Sequence, residues 1–124
     1  MRVFKTKSFA RQAKSAGLSD RALLEAAREL QSGLFDANLG GSVYKKRVPL
    51  PGRGKRGGAR ALVAFRSGKR LFFVFCYAKG QRSNVSTEEL KALKLLASEL
   101  LDLSAARLSN AMKAGELIEV QVDG

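Results

Sequence analysis

The pattern of apolar and polar positions predicts strand and helix elements along the first third of the chain. Arg2–Lys5 alternates and predicts a short first strand, and residues 8–16 predict a short helix. From Ser19, apolar residues recur at the three- and four-residue spacing of an amphipathic helix. Ser19 or Asp20 can cap this helix, and Gly33 is expected to end it. The apolar stripe comprises Leu23, Ala26, Ala27, Leu30 and Leu34.

Three strands are predicted in the middle of the chain. Asn38–Ser42 is predicted to be a loop, and Val43–Val48 a strand. Pro49–Gly58 contains both prolines and four glycines, so we expect it to be irregular. Arg60–Arg66 and Arg70–Tyr77 are apolar runs joined by a Ser-Gly-Lys turn, which is typical of a hairpin. The second run is apolar from residue 71 onward, which favours a central strand covered on both faces.

The last third of the chain predicts two helices and an edge strand. Ser86-Thr87-Glu88-Glu89 forms a capping box that opens a helix through about Asp102. Ser104–Ala114 predicts a second short helix, and Glu116–Val122 alternates like an edge strand. The order of elements indicates an α+β fold, with a small antiparallel-dominated sheet flanked by helices. The length of 124 residues predicts one domain, 1–124.

The positive charge is concentrated in one segment. The chain carries 23 Lys and Arg against 11 Asp and Glu, a net charge of +12. Residues 37–87 contain twelve of these basic side chains and no acidic one, whereas the charges of the two ends cancel. Because a merely solubilising surface mixes both signs, this segment favours an anionic partner over a solvated face, and phosphate is the commonest such anion.

Composition excludes several classes of chemistry. The chain has no His, which excludes a His general base, a His metal ligand and a Ser-His-Asp triad. Its one cysteine, Cys76, excludes an internal disulfide and a thiolate metal cluster, and its place in an apolar strand favours a packing role. We expect no metal and no cofactor. No segment is apolar for long enough to span a bilayer and no signal peptide is evident, so we expect a cytoplasmic protein without membrane contact.

The basic segment supplies the candidate catalytic and RNA-binding residues. Lys45 and Arg47 project from the same face of their predicted strand, and Arg60 begins the next strand. If the three middle strands are neighbours, these side chains converge with the two cations that follow the last strand. The candidate catalytic set is Lys45, Arg47, Arg60, Lys79 and Arg82, and the candidate RNA-binding set is Lys46, Arg53, Lys55 and Arg56.

Such a cluster can cleave RNA without His or metal. The 2′-hydroxyl attacks the adjacent phosphorus, and Arg can stabilise the negative charge that builds on the phosphorane oxygens. A lysine surrounded by other cations gives up its proton more readily and can then act as the base. Lys45 and Lys79 are the candidates for this role. Another Lys or Arg can supply the proton or charge that the leaving 5′-oxygen needs.

The same residues carry a resemblance to a protein family. The run Tyr44–Val48, the Gly-Lys-Arg-Gly-Gly-Ala-Arg element of 54–60, and the segments Phe72–Lys79 and Asn84–Ser86 resemble the RelE/HigB group of bacterial type II toxins. The resemblance covers about residues 43–100, and the predicted topology of residues 1–42 agrees with it. It implies a RelE-like domain with a core of about 1–103 and a C-terminal extension, 104–124.

The resemblance also implies a function. Toxins of this group enter the ribosomal A site, cut the mRNA there, and are neutralised by a cognate antitoxin that usually carries a helix-turn-helix domain. Lys45, Arg47, Arg60 and Lys79 match basic positions of the family. The chain departs from some relatives at Gly80, where they have Arg, and at Ser86, where they have Tyr. Two outcomes stay open: Lys79 and Arg82 take over the work of these residues, or cleavage is slower. Two alternatives stay open, a ParE-type toxin that poisons DNA gyrase and a non-enzymatic RNA-binding module.

Overall fold

The fold is a six-stranded sheet with two helices on each face. In the computed structural model the described residues are 1–50, 54–78, 80–82 and 84–121, with side chains described at all of them except 54–57. The elements run in the order β1 (Arg2–Thr6), α1 (Lys7–Ala16), α2 (Asp20–Gln31), β2 (Ala37–Asn38), β3 (Val43–Leu50), β4 (Gly54–Phe65), β5 (Arg70–Ala78), α3 (Thr87–Leu101), α4 (Ala105–Lys113) and β6 (Leu117–Glu119). The α+β prediction is confirmed.

The sheet is mainly antiparallel, with strand order β2-β3-β4-β5-β1-β6. The single parallel pair within the described residues joins β1 to β5, through two helices and the β2–β4 meander. β5 therefore lies in the middle of the sheet, as its continuous apolar run predicts. β1 accompanies β5 only as far as the pair Lys5–Phe73, so the last residues of β5 extend beyond the end of β1.

Each face of the sheet has its own apolar core. Phe9 of α1 and Leu23 of α2 pack with Phe73 of β5 on one face. On the other face, Leu93 of α3 and Leu108 of α4 pack against a set that includes Phe72. The predicted extension contributes to both cores, because Leu108 and Leu117 are buried on the second face and Val120 on the first.

Local capping signals set the helix ends. Ser19 and Ser86 accept from backbone N–H groups in the first turns of α2 and α3, and Glu89 completes the predicted capping box at Ser86. One prediction is wrong at the other end of α2. The helix stops at Gln31, and Leu34, expected on its apolar stripe, is 58% exposed because it lies beyond the helix.

The prediction that Pro49–Gly58 is irregular is wrong in its described part. β3 continues through Leu50, and β4 begins at Gly54, directly opposite it. Proline lacks an N–H donor and is tolerated in a strand where the ladder is interrupted, and the register shifts between Val48 and Leu50, at Pro49. The predicted loop of Asn38–Ser42 also contains a strand residue, since Asn38 belongs to β2 and pairs with Tyr44 of β3.

Candidate nucleic-acid interface

The register of the middle strands brings the predicted cations to one face at one end of the sheet. Arg47 of β3 lies opposite Arg60 of β4, and Arg60 lies opposite Tyr77 of β5. Lys45 lies opposite Leu62, which belongs to the core under α3. Because side chains alternate along a strand, Lys45, Arg47 and Arg60 share the face that packs against α3 further along. We call these three residues with Tyr77 and Arg82 the basic site.

Arg60 lies at the centre of the basic site. Its side chain is half-buried, and its Nη1 atom is buried without donating a hydrogen bond within the described part of the chain. A buried donor of this kind costs free energy unless something accepts from it. Arg60 and Arg82 both act on the neighbouring phenol: burial raises the pKa of Tyr77, and the two positive charges oppose that rise.

Arg47 is held by a carboxylate from outside the basic segment. Oδ2 of Asp36 accepts from the backbone N–H of Arg47 at 2.6 Å, and Oδ1 pairs with its Nε at 3.0 Å. The backbone N–H of Asp36 donates to the carbonyl of Lys45 at 2.9 Å. Asp36 thus fixes the stem of Arg47, whose side chain remains 44% exposed.

Arg82 is held in the same way from α3. Its Nη1 and Nη2 atoms each donate to one oxygen of Glu89 at 2.7 Å. The guanidinium lies over the rings of Phe75 and Tyr77, 5.1 and 5.6 Å from their centroids. Hydrogen bonds from Arg82 and then from Ser86 lower the pKa of Glu89 to about 2, and the same pair raises the pKa of Arg82. Arg82 therefore ties the β5–α3 connection to the start of α3.

Lys46 lies on the opposite face of the sheet. Its side chain is only 6% exposed, and its Nζ pairs with Glu29 of α2 at 2.8 Å. This geometry argues against direct contact between Lys46 and RNA, because the ammonium is enclosed against the helix. Lys79 and Arg53, also predicted from the sequence, lie outside the described residues. Lys55 and Arg56 lie in β4, where the structure describes their backbone but not their side chains.

A comparison with known families decides what kind of protein carries this site. The RelE toxin of the RelE / RelB toxin-antitoxin system is the family that matches, over residues 1–120. The chain belongs to the RelE toxin family. No curated protein matches the sequence in the corresponding comparison. The match extends through α4 and β6, and membership makes the chain a toxin-antitoxin toxin, which implies a cognate antitoxin partner.

The fold brings acidic residues to the basic site that the acid-free segment does not contain. Tyr77 is buried, as its apolar run predicts, and it is also the cross-strand neighbour of Arg60. Asp36 and Glu89 lie outside the acid-free segment, and only the fold brings them to its arginines. Across the described residues, no three His, Cys, Asp or Glu side chains lie close enough to share a metal ion. In that same part of the chain, no helix is long and apolar enough to cross a membrane.

Proposed function

We propose that this RelE-family toxin is a ribosome-dependent endoribonuclease that cuts translated mRNA in the ribosomal A site without a metal ion. Two observations support the proposal: the chain belongs to the RelE toxin family, and the basic site lies at one end of its sheet. The cognate antitoxin, proposed to carry a helix-turn-helix domain, holds the toxin inactive. The acid-free segment suits an RNA-rich target, because cationic side chains that displace counterions drive most non-specific nucleic-acid affinity.

The state of Arg60 is the observation that carries the proposal. Arg47 and Arg82 have carboxylate partners, whereas neither Arg60 nor Lys45 forms an ion pair with a described residue. A half-buried guanidinium with an unused, buried N–H donor, placed opposite a second arginine, favours an anion over water. Phosphate matches this geometry because its oxygens accept from the planar fork of arginine.

The chemistry assigned to the basic site is an internal transfer. The 2′-hydroxyl loses its proton to a neutral lysine amine and attacks phosphorus, the P–O5′ bond breaks, and the 5′-oxygen takes a proton from a second cation. The products are a 2′,3′-cyclic phosphate and a free 5′-hydroxyl. Arg60 and Arg47 stabilise the extra charge on the phosphorane oxygens.

The division of labour among the other residues follows from their partners. Lys45 and Lys79 remain the two candidates for the base. Arg82 is engaged by Glu89, so we assign it to shaping the connection between β5 and α3 and to adding positive charge beside Tyr77. Since side-chain chemistry alone makes a weak nuclease, the ribosome is expected to supply the alignment of the 2′-hydroxyl with the phosphorus.

Mapping of mRNA 5′ ends after induced expression tests the proposal. Wild type is compared with Arg60→Met and with Arg66→Met as the matched control. Arg66 belongs to the same basic segment, but it lies just past the end of β4 that is remote from the basic site. Its side chain pairs with Asp102. We expect new 5′-hydroxyl ends within codons of translated messages for wild type and Arg66→Met, and their loss in Arg60→Met.

Other outcomes separate the competing functions. Growth arrest with intact mRNA and a DNA-damage response contradicts the nuclease and favours gyrase poisoning. Growth arrest with neither new ends nor DNA damage favours an RNA-binding module that acts by occupancy. If the Arg60→Met variant still associates with ribosomes but no longer cuts mRNA, Arg60 acts in the chemical step rather than in ribosome binding.

A further inference from the structure

A cavity of about 760 Å³ lies beside the basic site, where β5 extends past the end of β1. Residues of α1 and of the segment after β5 line it, and Tyr77 and Arg82 belong both to this cavity and to the basic site. Its volume is within the range that holds small ligands, and a single nucleobase is much smaller. Its walls include the apolar side chains of Ala16 and Leu50, the neutral amides of Gln12 and Gln81, and the cationic guanidinium of Arg11.

Two glutamines in the cavity accept hydrogen bonds from the part of β5 that extends past the end of β1. Residues two apart in a strand direct their N–H groups to the same edge. Oε1 of Gln12 accepts from the backbone N–H of Cys76 at 2.9 Å, and Oε1 of Gln81 accepts from that of Ala78 at 3.3 Å. The oxygen of each amide is therefore occupied by the edge of β5.

The amide nitrogens have no such use. In the described part of the chain, neither Nε2 of Gln12 nor Nε2 of Gln81 donates a hydrogen bond. Each nitrogen carries two N–H donors, whereas each amide oxygen already accepts one hydrogen bond from β5, so the two glutamines offer mainly donors to the cavity, beside the cationic donors of Arg11 and Arg82. Such a lining selects a ligand edge made of hydrogen-bond acceptors.

We propose that this cavity binds one unpaired base of the RNA, through donation from Gln12 and Gln81 to acceptor atoms on the base edge. Proteins read single-stranded RNA by stacking bases on aromatic rings or guanidinium planes and by bonding their edges. The guanidinium of Arg82, whose side chain is 37% exposed, can supply such a surface with the face that does not lie over Phe75 and Tyr77. O6 and N7 of guanine form an edge of two adjacent acceptors, so guanosine is expected to bind most tightly. The identity of the substrate as RNA rests on the proposed function.

The Gln→Glu substitution separates base binding from the structural role of each glutamine. Glutamate keeps an oxygen that can accept from the N–H of Cys76 or Ala78, but it has no amide donors. Gln12→Glu and Gln81→Glu remove the nitrogen donors and also add a negative charge, so a loss of binding is assigned to the donors only where the nucleotide loses more affinity than ribose 5-phosphate does. Gln31→Glu is the matched control, because Gln31 is an exposed residue at the end of α2 and does not line the cavity.

The binding experiment is a nuclear magnetic resonance titration of the purified full-length protein. The side-chain amide signals of Gln12 and Gln81 are followed during addition of guanosine 5′-monophosphate, and separately of ribose 5-phosphate, which has the same phosphate without a base. We expect both signals to shift with the nucleotide and not with the sugar phosphate. Each cavity variant should weaken nucleotide binding about tenfold, equivalent to about 1.4 kcal/mol, and Gln31→Glu should not.

Equal shifts with both ligands, or unchanged affinity in both cavity variants, would contradict the base site. The titration does not depend on cleavage, so the two proposals can fail separately. A protein that binds guanosine 5′-monophosphate in this cavity but leaves mRNA intact retains the base site and loses the nuclease function. Where wild type does cut, Gln12→Glu and Gln81→Glu should weaken the base preference around the cut sites, whereas Gln31→Glu should leave that preference unchanged.

Discussion

Arg47 and Arg60 lie directly opposite each other on β3 and β4, on the face of the sheet that α3 covers further along. Cross-strand neighbours of this kind have Cβ atoms about 5 Å apart, and like charges at that distance destabilise a sheet. Asp36 balances Arg47, but no described residue balances Arg60. The pair therefore holds positive charge in place in the free protein, where an anionic substrate can use it.

Removing the charge at position 60 should stabilise the fold while abolishing cleavage. Arg60→Met keeps the apolar stem, removes the repulsion from Arg47 and removes a buried donor without a partner. We expect the free energy of unfolding to rise by about 0.2–1 kcal/mol, measured by urea denaturation. Arg66→Met should not raise it, since that change removes an exposed ion pair with Asp102. A clear loss of stability in Arg60→Met would show that the fold needs this guanidinium.

Asp36 should reduce the net attraction of the basic site for RNA. Asp36→Asn retains an oxygen that can accept from the N–H of Arg47 and removes the charge beside its guanidinium. We expect tighter RNA binding, and a slope of log affinity against log salt steeper by about 0.7, as for one more released counterion. Filter binding at several salt concentrations measures this slope. Asp20→Asn, which removes the exposed partner of Lys5, is the control and should leave it unchanged.

The pair of Lys46 and Glu29 should matter for stability rather than for RNA. The Lys46 side chain is 6% exposed and that of Glu29 is 24% exposed, so removing the lysine takes one partner from a carboxylate that water reaches only in part. We expect Lys46→Met alone to cost about 1–3 kcal/mol of unfolding free energy, less than for a fully buried pair. Adding Glu29→Gln should recover much of this loss. Weaker RNA binding by a folded double variant would overturn this assignment.

The Glu89 carboxylate should make part of the stability depend on acid pH. Its pKa is lowered from 4.5 to about 2 by the hydrogen bonds from Arg82 and Ser86. A depressed pKa in the folded state means that the contribution is complete above about pH 5 and is lost as the pH falls toward 2. Glu89→Gln should therefore lose less stability than wild type between pH 6 and pH 3.

Urea denaturation at the two pH values measures that difference. Glu88→Gln is the control, because Glu88 lies in the same turn of α3 without an ion pair to any described residue. Wild type and Glu88→Gln should show the same acid sensitivity. Equal sensitivity in Glu89→Gln would mean that the pair with Arg82 does not stabilise the fold.

Gly58 should be required for the close approach of β3 and β4. A Cβ at this position would overlap the carbonyl oxygen of Val48 and lie 3.0 Å from Cα of Pro49, both backbone atoms. We expect Gly58→Ala to destabilise the protein by about 2 kcal/mol or more, measured by thermal and urea denaturation. Gly80→Ala adds its methyl where no described atom lies within 4 Å, so it should be nearly neutral. Equal stability in the two variants would show that the strands can separate at little cost.

Local signals in the sequence account for most of the elements. The serine caps of α2 and α3, the helical spacing of their leucines and the apolar run of β5 each act over a few residues, so they can be recognised without the fold. The alternation of β3 predicts that Lys45 and Arg47 share a face, because side chains of a strand alternate whatever its neighbours are. The same reasoning failed at Pro49–Gly58, where pairing of Leu50 with Gly54 overrides the local preference of proline and glycine.

The sequence by itself determines that the middle of the chain is basic, that it forms strands, and which of its cations share a face. It does not determine which cations stay unpaired. Asp36, Glu29 and Glu89 all lie outside the acid-free segment, yet each pairs with one of its cations in the fold. These contacts depend on which helix covers which face and where β1 ends, and both follow from packing between residues distant in the chain. Only the tertiary structure therefore separates Arg60 from the cations that already have partners.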